Sequence, residues 1–339
     1  MASPPSEPSP EHDHRPEPIR KVGVEHIDLR LLERYQRYED PRSGISEEFL
    51  RPTIGGAGTV AVLSRPLGST EDLGFVVCPS FGSEHTQMDG LEVRVARTLA
   101  AAGFPVLRYH GQGYGDSEGP REHVGASSHL ADAADAVGVM AERGGVGRVA
   151  TVGGLFGASV AALTAERLSL PATAMWQPVT NGHRYAEQIL RGVALWQMTE
   201  FRRTGEKAPL SVLREQLDAT GVDIRGFVFT KQAYDEIAAV DLMTDLVSFR
   251  GASLTLGVSR SEHLPPAATA LVEHLRALGG VATHDVVRDK LVHPLGAYRY
   301  VGFADRHGRL DTQFVLNERI ADATLTWART QAHATEASA

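Results

Sequence analysis

RVATVGGLFGASVAAL, residues 148–163, is the stretch on which the reading of the fold turns. Its first half is a continuous apolar run of the kind found in strands buried on both faces. Gly153 and Gly157 then bracket a sharp turn, and FGASVAALTAERL (156–168) continues as a helix of small residues. A strand that turns abruptly into a helix is half of a βαβ unit, and the same alternation extends outward in both directions. Upstream, GTVAVLSRP (58–66), GFVVCP (74–79) and FPVLRY (104–109) read as strands. Between them TQMDGLEVRVARTLAAAG (86–103) carries Met88, Leu91, Val95 and Leu99 as a helical stripe ending on Gly103. SSHLADAADAVGVMAERGG (127–145) is a second helix. Downstream, PATAMWQPV (171–179), ASLTLGV (252–258) and ATHDVV (282–287) read as strands, PAATALVEHLRALGG (266–280) as a helix, and a last helix is expected near Asp311 to Thr330. This pattern predicts an α/β protein with a doubly wound, mostly parallel sheet and helices on both faces. A polar, helical stretch at 181–236 interrupts the alternation. It divides the expected core into 19–180 and 237–330, while residues 1–18 and 331–339 read as tails.

The whole chain of 339 residues is 42% hydrophobic and 22% charged, enough apolar material for a sizeable core. Its 34 Lys and Arg against 42 Asp and Glu leave a net charge of −8, the wrong sign for a nucleic-acid groove. A single cysteine, Cys78, excludes an internal disulfide, a thiolate zinc site and an iron–sulfur cluster. No apolar run reaches the ~18 residues of a membrane span, and MASPPSEPSPEHDHRPEP has no apolar signal region. A cytoplasmic protein with a small-molecule partner is expected, with no nucleic acid and no membrane; its oligomeric state is not legible.

A doubly wound sheet with a helical insertion after its sixth strand resembles the α/β-hydrolase fold, and three stretches carry the resemblance across about 55–330. VLRYHGQGYGDSEG (106–119) looks like that superfamily's D-x-R-G-x-G-x-S loop, with His110 where Asp is usual. GFVVCPSFGSE (74–84) sits where its first oxyanion-hole loop belongs. Residues 148–163 align without gaps on the strand–elbow–helix that bears the G-x-S-x-G nucleophile. Here the nucleophile position is Leu155, which has no nucleophilic atom, so a covalent acyl-enzyme cannot form there. AMWQPVTNGHRYAEQILR (174–191) is similar to a stretch of the exosortase-associated hydrolase-like proteins, in which the elbow serine is also replaced. That likeness rests on Trp176, Gln177, Pro178, Arg184 and Arg191, together with Pro79 and Phe81.

The resemblance implies where the remaining chemistry should lie. The triad acid would follow ASLTLGV, where GVSRSEHLP places Arg260 or Ser261, with Glu262 the nearest carboxylate. The triad histidine would follow the last strand, at His293, oriented by Glu262, Asp285 or Asp289; His284 falls within the strand itself. His110 and His85 are further candidate proton-transfer groups, since an imidazole titrates near neutrality. The backbone N–H groups of Phe156 and of the Ser80–Phe81 region would form the oxyanion hole. Glu84 and Leu155 would border the substrate, and Arg184 and Arg191, seven residues apart on one helix face, would meet an anionic group. Ser159, reached by shifting the elbow four residues, and Cys78 are alternative nucleophiles. His85, His110 and His293 lack a metal-binding spacing, so no metal and no cofactor are expected.

An oxyanion hole with a base but no nucleophile suits enolate formation followed by loss of a leaving group. A lyase is therefore the favoured expectation. The composition, rich in Ala, Gly and Arg, is of a kind common where natural products are made. There, the enzymes that eliminate acetate from O-acetylated tetronates are α/β-hydrolase-like, and this chain resembles them in outline. The alternatives are an esterase or thioesterase using Ser159, Cys78 or histidine-activated water, and a non-catalytic binding protein.

Overall fold

Parallel strands flanked by helices need their connections to cross over the sheet, and the order of strands records how they do so. The computed structural model describes residues 36–204, 210–224, 226–288 and 309–333; the side chains of 196–204, 309–314 and 333 are outside the description. His293 and Asp289 lie outside the described residues, as does the predicted tail at 1–18.

Among the described residues the main sheet comprises β1 (Arg37–Asp40), β2 (Ile45–Leu50), β3 (Val60–Pro66), β4 (Leu73–Cys78), β5 (Val106–His110), β6 (Arg148–Gly154), β7 (Ala172–Trp176), β8 (Ala252–Ser259) and β9 (Val281–Arg288). Their order is β1-β2-β3-β5-β4-β6-β7-β8-β9. The first three strands and β5 pair antiparallel in sequence along the edge; from β5 onward every pairing is parallel. Strand β4, buried at every position, is LGFVVC, the predicted run GFVVCP shifted by one residue so that Pro79 falls outside it. The helices are α1 (Ser83–Ala101), α2 (Ala126–Arg143), α3 (Phe156–Arg167), α4 (Gly182–Thr204), α5 (Leu210–Ala219), α6 (Lys231–Ala239), α7 (Pro266–Ala277) and α8 (Arg309–His333).

The predicted stripe of α1 is buried: Met88, Leu91, Val95 and Leu99 pack with Leu316, Ile320 and Trp327 of α8 over Phe75 and Val77 of the sheet. On the opposite face α2, α3 and α7 supply Ala133, Ala161 and Leu271 to a second layer. This is the α/β-hydrolase fold. Two features differ from the sequence expectation. Strands β1 and β2 precede the first predicted strand. RYED and ISEEFL carry too many charges to read as strands, yet Glu47 is buried because Arg97 pairs with it at 2.6 Å. The insertion is also not wholly helical. Val222–Ile224 and Phe227–Phe229 form a two-stranded hairpin within it, and a short turn at Leu242–Asp245 follows α6 before the chain re-enters the sheet.

Candidate active site

The β6–α3 turn has the geometry of a nucleophile elbow without the nucleophile. Leu155 adopts φ 52° and ψ −121°, a region that costs a non-glycine residue about 1–3 kcal/mol. The flanking glycines have steric reasons to be glycine. A Cβ on Gly157 would lie 2.4 Å from the Cys78 carbonyl oxygen, and one on Gly153 would lie 2.3 Å from that of Gly157. Helix α3 therefore rests directly on the backbone of β4 and β6, which fixes the tip at the carboxyl ends of the parallel strands, where α/β sheets bind ligands. Hydrogen bonds hold that edge: Leu155 N–H donates to Trp176 O at 2.9 Å, and Gln177 N–H donates to Leu256 O at 2.8 Å.

A cavity of about 500 Å³ opens over this edge. Leu155 forms part of its wall, beside Gln177, Pro178, Val179, Ser259, Arg260 and Ser261 from the strand ends. The insertion closes it from above with Asn181, Arg184, Tyr185 and Gln188 of α4 and the segment before it. Glu84, in the first turn of α1, completes the wall. Its Oε2 accepts a hydrogen bond of 2.6 Å from the Tyr185 hydroxyl, and burial pushes its carboxyl up to about 7, against the lowering effect of that bond. Tyr185 in turn stacks on Phe156 with centroids 5.6 Å apart and planes 2° from parallel. The insertion is thus tied to the elbow and to the acid at once.

The loop after β4 packs against the elbow, and Ser80, Phe81 and Phe156, expected at the oxyanion hole, are buried and do not border the cavity. Phe156 opens α3, so its N–H has no intrahelical acceptor. The Ser80 hydroxyl donates to Gly154 O at 2.8 Å, locking the β4 loop against the elbow strand. Gly82 N–H donates to the Tyr114 hydroxyl oxygen at 2.8 Å. The Phe81 ring packs edge-on against Phe227 and Phe229 of the insertion hairpin at 5.0 and 5.6 Å.

Of the residues expected at the site, Leu155, Glu84 and Arg184 border the cavity, and so do Arg260 and Ser261 at the position of the missing triad acid. The others lie elsewhere. Arg191 is one turn further along α4 than the cavity extends and lies 3.8 Å from Glu187, which also holds Arg214. Glu262 is exposed and bridges Arg288 at 2.8 Å instead of turning inward. His284 and Asp285 are exposed on β9. Ser159 is fully buried in the first turn of α3, and its hydroxyl donates to Val179 O at 2.6 Å, so it packs the elbow. Cys78 is fully buried at the end of β4, where burial pushes its thiol far above the usual range and keeps it protonated.

His85 and His110 are brought together, but away from the cavity wall. Both lie between α1 and β5, with ring centroids 4.8 Å apart and planes at 86°. Burial, with His110 and His129 nearby, drives the His85 imidazole down to about 3, so it is neutral at pH 7. Asp89, one turn after His85, and Arg108, two residues before His110, share this layer with Glu92. His129, not among the expected residues, is buried behind Tyr114 with Nδ1 2.8 Å from Gly125 O. Sequence reasoning also passed over Tyr185 and Asp89; the Glu-to-Tyr contact spans 101 residues and leaves no local signal.

Solved structures similar to this chain have the same fold. An esterase, Est1E from Butyrivibrio proteoclasticus, solved with ferulic acid, aligns with 81% of this chain and 96% of its own, at 16% identity and a TM-score of 0.54. DcsB in complex with a substrate analogue covers 85% and 99%, at 17% identity and 0.51. An esterase from Pyrobaculum calidifontis covers 83% and 86%, at 16% identity and 0.50. Neither a protein-family model nor a curated protein sequence matches the chain. Among the described residues no helix is long and apolar enough to cross a membrane.

Proposed function

We propose that this α/β-hydrolase-fold chain is an enzyme that removes a proton next to a carbonyl and expels a leaving group, a lyase without a covalent acyl intermediate. The observation that carries this reading is the pairing, in one cavity wall, of an elbow tipped by leucine with a carboxylate, Glu84, held in place by Tyr185. Glu84 is the base. The N–H of Phe156, next in sequence to the cavity-lining Leu155, receives the enolate oxygen, an interaction worth roughly 3 kcal/mol. Arg184 meets an anionic group of the substrate, and the insertion covers it. In the step itself the C–H proton passes to Glu84 and its electron pair forms the enolate. Collapse of the enolate makes the new C=C bond while the leaving group departs with the C–O pair. His110 and His85, which the sequence suggests as bases, give way to Glu84 because they do not border the cavity; His293 lies outside the described residues.

An O-acetylated hydroxymethyl-tetronate is the substrate we propose to test first, because it offers an acidic C–H, an anion and acetate as leaving group. The reaction is run in ¹⁸O-water and the acetate analysed by mass spectrometry. Unlabelled acetate with an exocyclic alkene as co-product supports elimination. Acetate carrying one ¹⁸O, with the alcohol as co-product, supports the second reading, a hydrolase in which the same carboxylate activates water. Saturable binding without turnover favours a binding protein.

A further inference from the structure

The layer between α1 and β5 contains buried polar groups for which the cavity has no use. His85 and Asp89 stand one turn apart on α1, hence on one face, and His110 is the last residue of β5. Each offers one ligand atom, and these three atoms all lie within 4.8 Å of one another. His85 is only 6% exposed, and among the described residues neither of its ring nitrogens has a hydrogen-bond partner. Nδ1 of His110 is likewise buried and unpartnered. Leaving a buried polar atom unsatisfied costs about 1–3 kcal/mol, so two such rings set edge to face are a poor device for stability alone. Gly115 keeps the space beside His110 open, since a Cβ there would come within 2.7 Å of Nδ1.

We propose that His85, Asp89 and His110 bind a divalent transition-metal ion of the zinc type, cross-linking the start of α1 to the end of β5. Two imidazoles and one carboxylate form a donor set that suits zinc or ferrous iron rather than magnesium or calcium. Metal–ligand bonds of ~2.1 Å put ligand atoms ~3.4 Å apart, so the side chains close by roughly 1.4 Å at most from their present separations. Asp89 supplies the negative charge. The guanidinium of Arg108 opposes a cation here, and it is offset by the carboxylates of Glu47 and Asp89, whose charges it faces, while burial pushes the Glu92 carboxyl up to about 8. With three protein ligands the fourth position falls to water, beside the Tyr114 ring, whose centroid is 5.0 Å from that of His85. The site is separate from the elbow cavity, and its existence does not depend on the reaction proposed above.

The test uses the full chain, stripped with a chelator and dialysed. It is titrated with Zn²⁺ by calorimetry and with Co²⁺ by absorption. One equivalent of each ion is expected, with tetrahedral-type cobalt bands and a higher Tm in Zn²⁺. The His12→Gln/His14→Gln double variant, which removes two histidines of the N-terminal segment, should keep that equivalent. Asp89→Asn and His110→Gln, both close in shape to the native residues, should each weaken Zn²⁺ binding by at least about 100-fold. Far-UV circular dichroism checks that each variant folds; should Asp89→Asn unfold, His110→Gln decides alone. A wild-type chain that takes up neither ion overturns the proposal. So does a folded His110→Gln variant that binds Zn²⁺ as the wild type does.

Discussion

Two regions on either side of α1 were built to different standards of closure. At the elbow, backbone touches backbone at Gly153 and Gly157, the buried Ser80 and Ser159 hydroxyls both have acceptors, and only the apolar Leu155 faces the cavity. Beneath α1, by contrast, His85, His110 and Glu92 keep buried atoms with no partner. The satisfied region preserves the geometry of a hydrolase without its nucleophile, and the unsatisfied one holds polar groups that the scaffold alone does not require. The difference teaches that the elbow is retained for its shape. In the function proposed above, the chemistry lies with side chains that approach the cavity from α1 and α4.

The comparison breaks most readily at its tightest point. Gly157→Ala sets a methyl group against three backbone atoms within 2.9 Å, none of which can yield without moving β4. A loss of about 3 kcal/mol or more is expected in urea unfolding, a large share of the ~5–15 kcal/mol that holds a typical domain folded. Glu84→Gln should reduce turnover by roughly 10²–10⁴-fold, the usual contribution of a positioned base, while leaving the unfolding midpoint within a degree or two. Leu155→Ser restores the nucleophile's atom but not its partners, because Arg260 and Ser261 hold the acid's place and Glu262 faces solvent. No fluorophosphonate adduct is expected by mass spectrometry, and stability should fall by about 2 kcal/mol as a buried leucine is lost. The smallest effect belongs to Ser159→Ala, which removes the bond to Val179 O and should cost about 1 kcal/mol with turnover retained. A large loss of turnover without loss of stability in that variant would return Ser159 to the catalytic candidates.

The parallel part of the sheet was legible because strands such as β4 are buried on both faces and read as unbroken apolar runs. Leu155 at the elbow was legible for the same reason: glycine spacing reports backbone contact whatever side chain sits between. Strands β1 and β2 were not, since their burial depends on Arg97 reaching Glu47 from α1, 50 residues away. The insertion hairpin was missed because three-residue strands carry no periodicity; Phe227 and Phe229 are buried against Phe81, Tyr114 and Tyr234, which are distant in sequence or on another element. Within the site, Glu84 could be read as a neighbour of the oxyanion loop, but its role depends on Tyr185 from α4. The histidines were visible one at a time. That His85 and His110 meet, with Asp89 beside them and the cavity elsewhere, follows from the packing of α1 on β5 and from nothing local.

The central claim is that Glu84 abstracts a substrate proton at an elbow that has no nucleophile. The most direct measurement is deuterium incorporation at the carbon next to the carbonyl of the O-acetylated tetronate in D₂O, followed by NMR with the wild-type chain and Glu84→Gln in parallel. The account predicts exchange or alkene formation with the wild type and neither above the buffer rate with Glu84→Gln. Release of acetate by both proteins, with the C–H bond intact, would contradict it.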